Sequence, residues 1–134
     1  MKHQNTDDNK KSLMSELNNI VNEDDIIENQ DELEFYSSDI FYKSSISASL
    51  VVTPRSPEQV ASVIKLITSF DIPVIPRGGG MSYTGGYTPS IEGSVIIDLR
   101  KLDKIIEINK KDMYVTVECG VTWKKLYDEL KKEG

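Results

Sequence analysis

The run Ile75-Pro76-Arg77-Gly78-Gly79-Gly80-Met81-Ser82-Tyr83-Thr84-Gly85-Gly86 holds five of the chain's eight glycines and follows directly on a short apolar stretch, Pro73-Val74-Ile75. Residues without a Cβ admit positive φ and let a ligand come close to main-chain N–H groups. A turn of that kind can aim several donors into one concavity, which suits a phosphate or a pyrophosphate. A flexible surface loop is the competing reading. The strand before the loop and the second glycine pair after it favour binding.

Two other phosphate loops are excluded. A Walker loop requires Gly, four residues and then Gly-Lys-Ser/Thr, and no such string occurs. A dinucleotide fingerprint starting at Gly78 and Gly80 would need glycine at position 83, which is Tyr83. The loop also fails to open a helix, because Tyr87, Thr88, Pro89 and Ser90 continue as turn material.

The elements that position this loop are legible in the apolar pattern. Leu50-Val51-Val52 reads as a strand, and Ser56-Pro57 starts a helix with a capping hydroxyl and a proline at the first helical position. Val60, Val63, Ile64 and Ile67 form its apolar stripe, and Asp71 and Pro73 stop it ahead of Val74-Ile75. A strand–helix–strand unit of this kind is a right-handed parallel crossover. It places the glycine loop at the carboxyl end of a parallel strand, where such sheets bind ligands. Ser94-Val95-Ile96-Ile97-Asp98 is continuous enough to be a strand buried on both faces. Strands over 104–108 and 113–118 read as an antiparallel hairpin. Gly120 turns the chain, and Thr122 caps a last helix with Trp123, Leu126, Tyr127 and Leu130 inward.

The fold class expected is α+β: three parallel strands with helices, then the start of an antiparallel second subdomain. An exposed hairpin and one helix call for further strands to cover them, so the chain reads as the front part of something longer.

Composition divides the chain. Hydrophobic residues make up 38% of the 134, below the roughly 45–50% (glycine included) usual for a compact domain. Residues 1–40 carry eleven Asp/Glu against three Lys, whereas 41–134 carry eleven acidic and thirteen basic groups. Residues 1–11 are expected to be a disordered tail and residues 12–49 an acidic, solvated helical lead-in, with Leu13, Leu17, Ile20 and Val21 on one helix face. Asp24, Asp25, Asn29 and Asp31 break that pattern, and Tyr36, Ile40, Phe41 and Tyr42 are candidates to anchor a loop on the body.

No basic stripe points to nucleic acid. No segment approaches the roughly 20 apolar residues that span a bilayer, and the polar start is not a secretory signal. The single Cys119 cannot form an internal disulfide and reads as a small buried residue. A reducing, cytoplasmic compartment fits.

Taken together, residues 50–134 resemble the start of the FAD-binding domain of the vanillyl-alcohol oxidase / para-cresol methylhydroxylase (PCMH-type) flavoproteins. The matching pieces are Val51-Val52-Thr53-Pro54, Ser56-Pro57-Glu58-Gln59-Val60, the run from Ile72 to Gly80, Met81-Ser82-Tyr83-Thr84-Gly85-Gly86, Val95-Ile96-Ile97-Asp98-Leu99 and Val117-Glu118-Cys119-Gly120-Val121. The lead-in is similar to the branch that oxidises D-2-hydroxy acids, such as the flavin subunit of glycolate oxidase and the D-lactate dehydrogenases. Leu17-Asn18-Asn19-Ile20-Val21 and Tyr36-Ser37-Ser38-Asp39 sit where that branch has a helix and a Tyr-x-x-Asp.

The resemblance implies FAD, with its pyrophosphate on main-chain N–H groups of the Pro76–Ser82 segment: Arg77, Gly78, Gly79, Gly80, Met81 and Ser82. Gly85 and Gly86 would shape the loop's return. Arg77 either helps neutralise the diphosphate or braces the loop from behind. The Ser82 hydroxyl either adds a bond or caps the turn, and Asp98 ends a strand. Some relatives link flavin covalently through a histidine at the position of Met81, so noncovalent FAD is implied here.

Hydride from the substrate would pass to the flavin, then to oxygen, a quinone or an electron-acceptor subunit. The catalytic residues would lie beyond residue 134. An ether-lipid (alkylglycerone-phosphate) synthase and UDP-N-acetylenolpyruvoylglucosamine reductase share the domain and are alternatives. An inactive truncated product is a third.

Overall fold

A computed structural model describes the backbone of residues 2–134 and the side chains of residues 10–134. Its centre is a four-stranded sheet in the order β1-β2-β4-β3. Strands β2 (Leu50–Val52), β3 (Val74–Arg77) and β4 (Val95–Asp98) are parallel, with Val51 and Ile75 both opposite Ile96. The expected helix is α3 (Pro57–Ser69), with Pro57 in its first turn and the Ser56 hydroxyl accepting from the Gln59 N–H at 3.2 Å. β4 enters between β2 and β3, so the chain leaving the glycine loop returns through the middle of the sheet. That explains its uninterrupted apolar run, since all four β4 residues are buried. β3 lies at the sheet edge, where Pro76 can be accommodated without a missing ladder bond.

Alternation along the strands splits the core between two faces. Leu50, Val52, Val95 and Ile97 pack with Val63 and Ile67 of α3 and with Leu13, Leu17 and Val21. Val51 and Ile96 point the other way, onto Leu33, Tyr36 and Ala48. The acidic lead-in therefore supplies apolar cover to both faces. Its helix α1 spans Lys2–Leu17. Of the segment 1–11 expected to be a disordered tail, Met1 lies outside the described residues and residues 2–11 are the first turns of α1. Once Leu13 and Leu17 anchor a helix on the sheet, propagating it through a stretch without Gly or Pro costs little. The helix stops at Leu17, short of Val21, where Asn18 and Asn19 form a turn.

Two small elements were invisible in the sequence pattern. β1 (Ile26–Ile27) adds an antiparallel edge to β2. α2 (Gln30–Tyr36) starts at Asn29, whose side chain accepts from the N–H groups of Asp31 and Glu32 at 3.0 and 3.3 Å. Asn29 is thus a helix cap rather than a breaker. Of the four aromatic and aliphatic residues expected to anchor this region, only Tyr36 is buried; Ile40, Phe41 and Tyr42 are exposed. Their positions beyond the end of α2 carry them off the sheet.

The second part is a separate two-stranded antiparallel hairpin, β5 (Ile105–Asn109) and β6 (Tyr114–Val117), followed by α4 (Trp123–Glu133). Thr122 caps α4 by accepting from the Lys125 N–H at 3.2 Å. Gly120 is more than a turn residue. A Cβ there would stand 2.6–2.7 Å from the carbonyl oxygens of Leu102, Arg100 and Leu99, so the backbone passes where no side chain fits.

The inward face expected for α4 is largely uncovered. Leu126 is buried, but Trp123 is 86% and Tyr127 59% exposed, because two strands are too few to cover the helix. Cys119 is likewise exposed, just past the end of β6, and not a buried strand residue. A groove of about 650 Å³ between the hairpin and α4 is lined by Met113, Tyr114, Val115, Trp123 and Leu130, among others.

Candidate functional site

Parallel strands put the carboxyl ends of β2, β3 and β4 on one edge, and the glycine loop leaves β3 there, beside Asp98. Of the three consecutive glycines only Gly80 has positive φ, at +72°; Gly85 has +68°. Around the Cβ positions of Gly78 and Gly79 nothing lies within 4 Å, so this stretch of backbone is open to close approach. Among the described residues, the N–H groups of Gly78, Gly79, Gly80, Met81 and Ser82 have no hydrogen-bond acceptor in the protein. A row of unpaired main-chain donors in a glycine-rich turn is what an anion requires.

The other candidates occupy distinct places. Pro76 is in β3, ahead of the loop. Met81 and Tyr83 are exposed. The Ser82 hydroxyl lies 3.0 Å from Thr84 Oγ1 and accepts from the Thr84 N–H at 3.2 Å, a contact within the turn. Gly86 has only an ordinary contact with Thr84 Oγ1.

The Arg77 side chain lies beneath the loop. It is buried, and Nη1 donates to the carbonyls of Tyr36 and Ser38, both at 2.9 Å. The guanidinium carbon lies 4.5 Å from the Tyr87 ring centroid and 5.3 Å from that of Tyr36. A Cβ on Gly80 would be 2.7 Å from Nη2, and the left-handed φ of +72° there favours glycine in its own right. Arg77 braces the loop from behind. Among the described residues no carboxylate lies within ion-pair distance of it, so the cation under the loop is not neutralised by direct pairing.

The lead-in supplies the rest of the frame, which sequence reading missed. The Tyr36 hydroxyl donates to Asp98 Oδ2 at 2.8 Å, and Arg100 Nη2 reaches the same oxygen at 2.6 Å and the Tyr36 hydroxyl at 2.5 Å. Burial works against the charge on Asp98, but the hydrogen bonds from Arg100 and Tyr36 outweigh it and hold the carboxyl below its usual range. Burial, then the neighbouring Asp98, push the Tyr36 phenol up. Asp98 does end its strand, and it also ties that end to the lead-in. Asp39 accepts from the Gly85 N–H at 2.6 Å through Oδ2, and from the Tyr42 and Phe41 N–H groups at 2.5 and 2.8 Å through Oδ1. Partial burial opposes its charge, but these three donors and the Arg77 charge hold it low. The available signal was Tyr36-x-x-Asp39, whose two polar side chains face the two strand-end loops.

A cradle of main-chain donors at the carboxyl edge of a parallel sheet, over a guanidinium with no ion-pair partner among the described residues, suits a phosphate-bearing cofactor. The FAD binding domain family matches residues 48–134, and the chain belongs to that family, with FAD as its cofactor. It is 37% identical over 111 residues to the mitochondrial D-lactate dehydrogenase [cytochrome] of Kluyveromyces lactis, covering 78% of this chain and 19% of that protein. Over 126 residues it is 32% identical to the Arabidopsis thaliana protein of the same name, covering 92% and 22%. The 4-cresol dehydrogenase [hydroxylating] flavoprotein subunit of Pseudomonas putida is 32% identical over 119 residues, 86% of this chain and 23% of that protein.

Among solved structures, p-cresol methylhydroxylase with substrate bound superposes with a TM-score of 0.82 at 27% identity, covering 93% of this chain and 25% of that one. The fold is thus PCMH-type. The chain spans about one fifth of the length of these curated dehydrogenase relatives (19% and 22%). Both dehydrogenases are mitochondrial, so the lone Cys119 does not fix a compartment. Among the described residues, no helix is long and apolar enough to cross a membrane.

Proposed function

We propose that the N–H groups of Gly78, Gly79, Gly80, Met81 and Ser82 hold the FAD diphosphate, that Gly85 and Gly86 shape the loop's return, and that the complete protein oxidises a D-2-hydroxy acid such as D-lactate or glycolate. The observation that carries the first part is the row of unpaired loop donors beside open space at Gly78 and Gly79. Several aligned dipoles stabilise a dianion without a lysine, and the buried Arg77 adds a fixed positive charge behind them. The hydroxy-acid reading is supported by the similarity to two D-lactate dehydrogenases over most of the chain.

Bound FAD supplies the hydride acceptor, and the protein supplies placement and electrostatics. Met81 presents a thioether rather than a nucleophilic nitrogen, which supports noncovalent attachment. The acid and base that handle the substrate belong to the remainder of the protein, and residues 50–134 form the first part of its FAD-binding domain. A protein electron acceptor is favoured over a quinone, because the named relatives include cytochrome-linked dehydrogenases and a flavoprotein subunit.

A second reading has its own support. Alkyldihydroxyacetonephosphate synthase of Dictyostelium discoideum is 29% identical over 63% of the chain. The deciding experiment is anaerobic addition of D-lactate, L-lactate or glycolate to the complete flavoprotein, following loss of the yellow absorbance. Bleaching by D-lactate or glycolate but not L-lactate is expected. Inertness to all three, with exchange of an acyl for an alkyl group on an acylated dihydroxyacetone phosphate, would establish the synthase reading instead.

A further inference from the structure

We propose that Asp39 is a positioning residue for the FAD site, acting through Gly85 to fix where the glycine loop returns; this rests on the FAD reading above. Two of the donors on Asp39, the N–H groups of Phe41 and Tyr42, are local. The third, Gly85, is 46 residues away at the far end of the loop. Gly85 has left-handed φ, and its Cβ position is 3.3 Å from Cδ1 of Tyr42, the residue that Asp39 itself anchors. The same segment takes Arg77 on the carbonyls of Tyr36 and Ser38, and its Ser44 hydroxyl donates to the Pro89 carbonyl at 2.5 Å. It therefore grips the loop where it starts, where it turns back and just after it ends.

A carboxylate beside a site for an anionic cofactor is a poor choice for attraction, so its use here is placement. One carboxylate satisfies three convergent N–H donors, which no neutral side chain of this size can do. It also withdraws the Gly85 N–H from the set that can meet the diphosphate, leaving Gly78 to Ser82. Donors held in place before the cofactor arrives do not have to be ordered by it, and affinity rises by that saving.

The test uses the complete protein with Asp39→Asn, nearly isosteric, and Asp25→Asn as a control. Asp25 is buried just ahead of β1 and held by a two-pronged Arg55 contact of 2.7–3.0 Å, so its loss destabilises the fold without touching the loop. FAD dissociation constants are measured well below both unfolding midpoints, together with hydrogen–deuterium exchange of apoprotein peptides covering residues 82–88. Asp39→Asn is expected to weaken FAD about tenfold, the scale of one charge-assisted hydrogen bond, and to speed exchange in those peptides. Asp25→Asn should lower the midpoint and change neither. Wild-type affinity in Asp39→Asn, or an equal loss in Asp25→Asn, overturns the assignment of Asp39 alone. A wild-type protein that does not bind FAD overturns the functional reading and this proposal together.

Discussion

Arg77 and Tyr87, which flank the glycine loop, are stacked on each other, with the guanidinium carbon 4.5 Å from the ring centroid. The loop's two ends are thereby held together by side chains rather than by ladder hydrogen bonds. Between them the N–H groups of Gly78 to Ser82 have no acceptor among the described residues.

Replacing Arg77 with Lys should expose how much this clamp contributes. Lysine keeps the charge but cannot stack flat on Tyr87 while donating to two carbonyls. Loss of those buried bonds is expected to cost about 1–3 kcal/mol, read as a lower midpoint in urea unfolding, with weaker FAD binding. An unchanged midpoint would mean that the stacking carries no stability.

The glycines should separate by what surrounds them. Gly80→Ala places a methyl 2.7 Å from Arg77 Nη2 at φ +72°, so a stability loss of about 1–3 kcal/mol is expected. Gly79→Ala meets nothing within 4 Å and has ordinary φ, so the fold should tolerate it. FAD occupancy should nevertheless fall in both: at Gly80 because the methyl meets Arg77 and shifts the loop, and at Gly79, more sharply as Gly79→Val, because the added atoms fill the side open to the diphosphate. Comparing unfolding midpoints with FAD titrations of the three variants checks this. Equal stability losses at Gly79 and Gly80 would contradict the loop geometry.

The parallel sheet and the loop were legible because each strand is a short apolar run and α3 has a serine, a proline and a clean stripe. The lead-in was not. Leu33 and Tyr36 are the only two buried residues of a seven-residue helix in which three positions are Asp or Glu, too few to give a period. Tyr36–Asp98 and Asp39–Gly85 join residues 62 and 46 apart, a separation at which local patterning carries no information. Only the three-dimensional fold brings them together. Arg77 could be read either way from sequence because a guanidinium suits both a phosphate and a pair of carbonyls.

Asp98 should give the protein a component of acid sensitivity. Its folded carboxyl is held below the unfolded value of about 3.9. The stability it contributes is therefore fully present above that value and lost as pH falls through the folded one. Asp98→Asn cannot titrate, so it should be less stable at neutral pH by about 2 kcal/mol, discounted because Arg100 is half-exposed. Its stability should also change less than the wild type's between about pH 5 and pH 2. Urea midpoints measured across that range decide the matter; parallel curves for the two proteins would remove Asp98 as a source.

The 134-residue chain by itself is expected to bind FAD weakly and to reduce no dye with D-lactate or glycolate. The loop offers donors to the diphosphate, but exposed contacts of that kind are screened by salt. Apolar walls give much of the affinity in a concave cofactor site, and here the apolar side of α4 and the hairpin faces outward, with Met113 88% and Trp123 86% exposed. The chain's single tryptophan makes this measurable. Trp123 fluorescence should be quenched by acrylamide as readily as free indole, and FAD titration should give no submicromolar phase. The unpaired edges of the hairpin should favour association as concentration rises, seen by sedimentation. A shielded Trp123 together with tight FAD binding and substrate-dependent dye reduction would show that these residues form a working unit, and the reading of residues 50–134 as the first part of a larger FAD-binding domain would have to be abandoned.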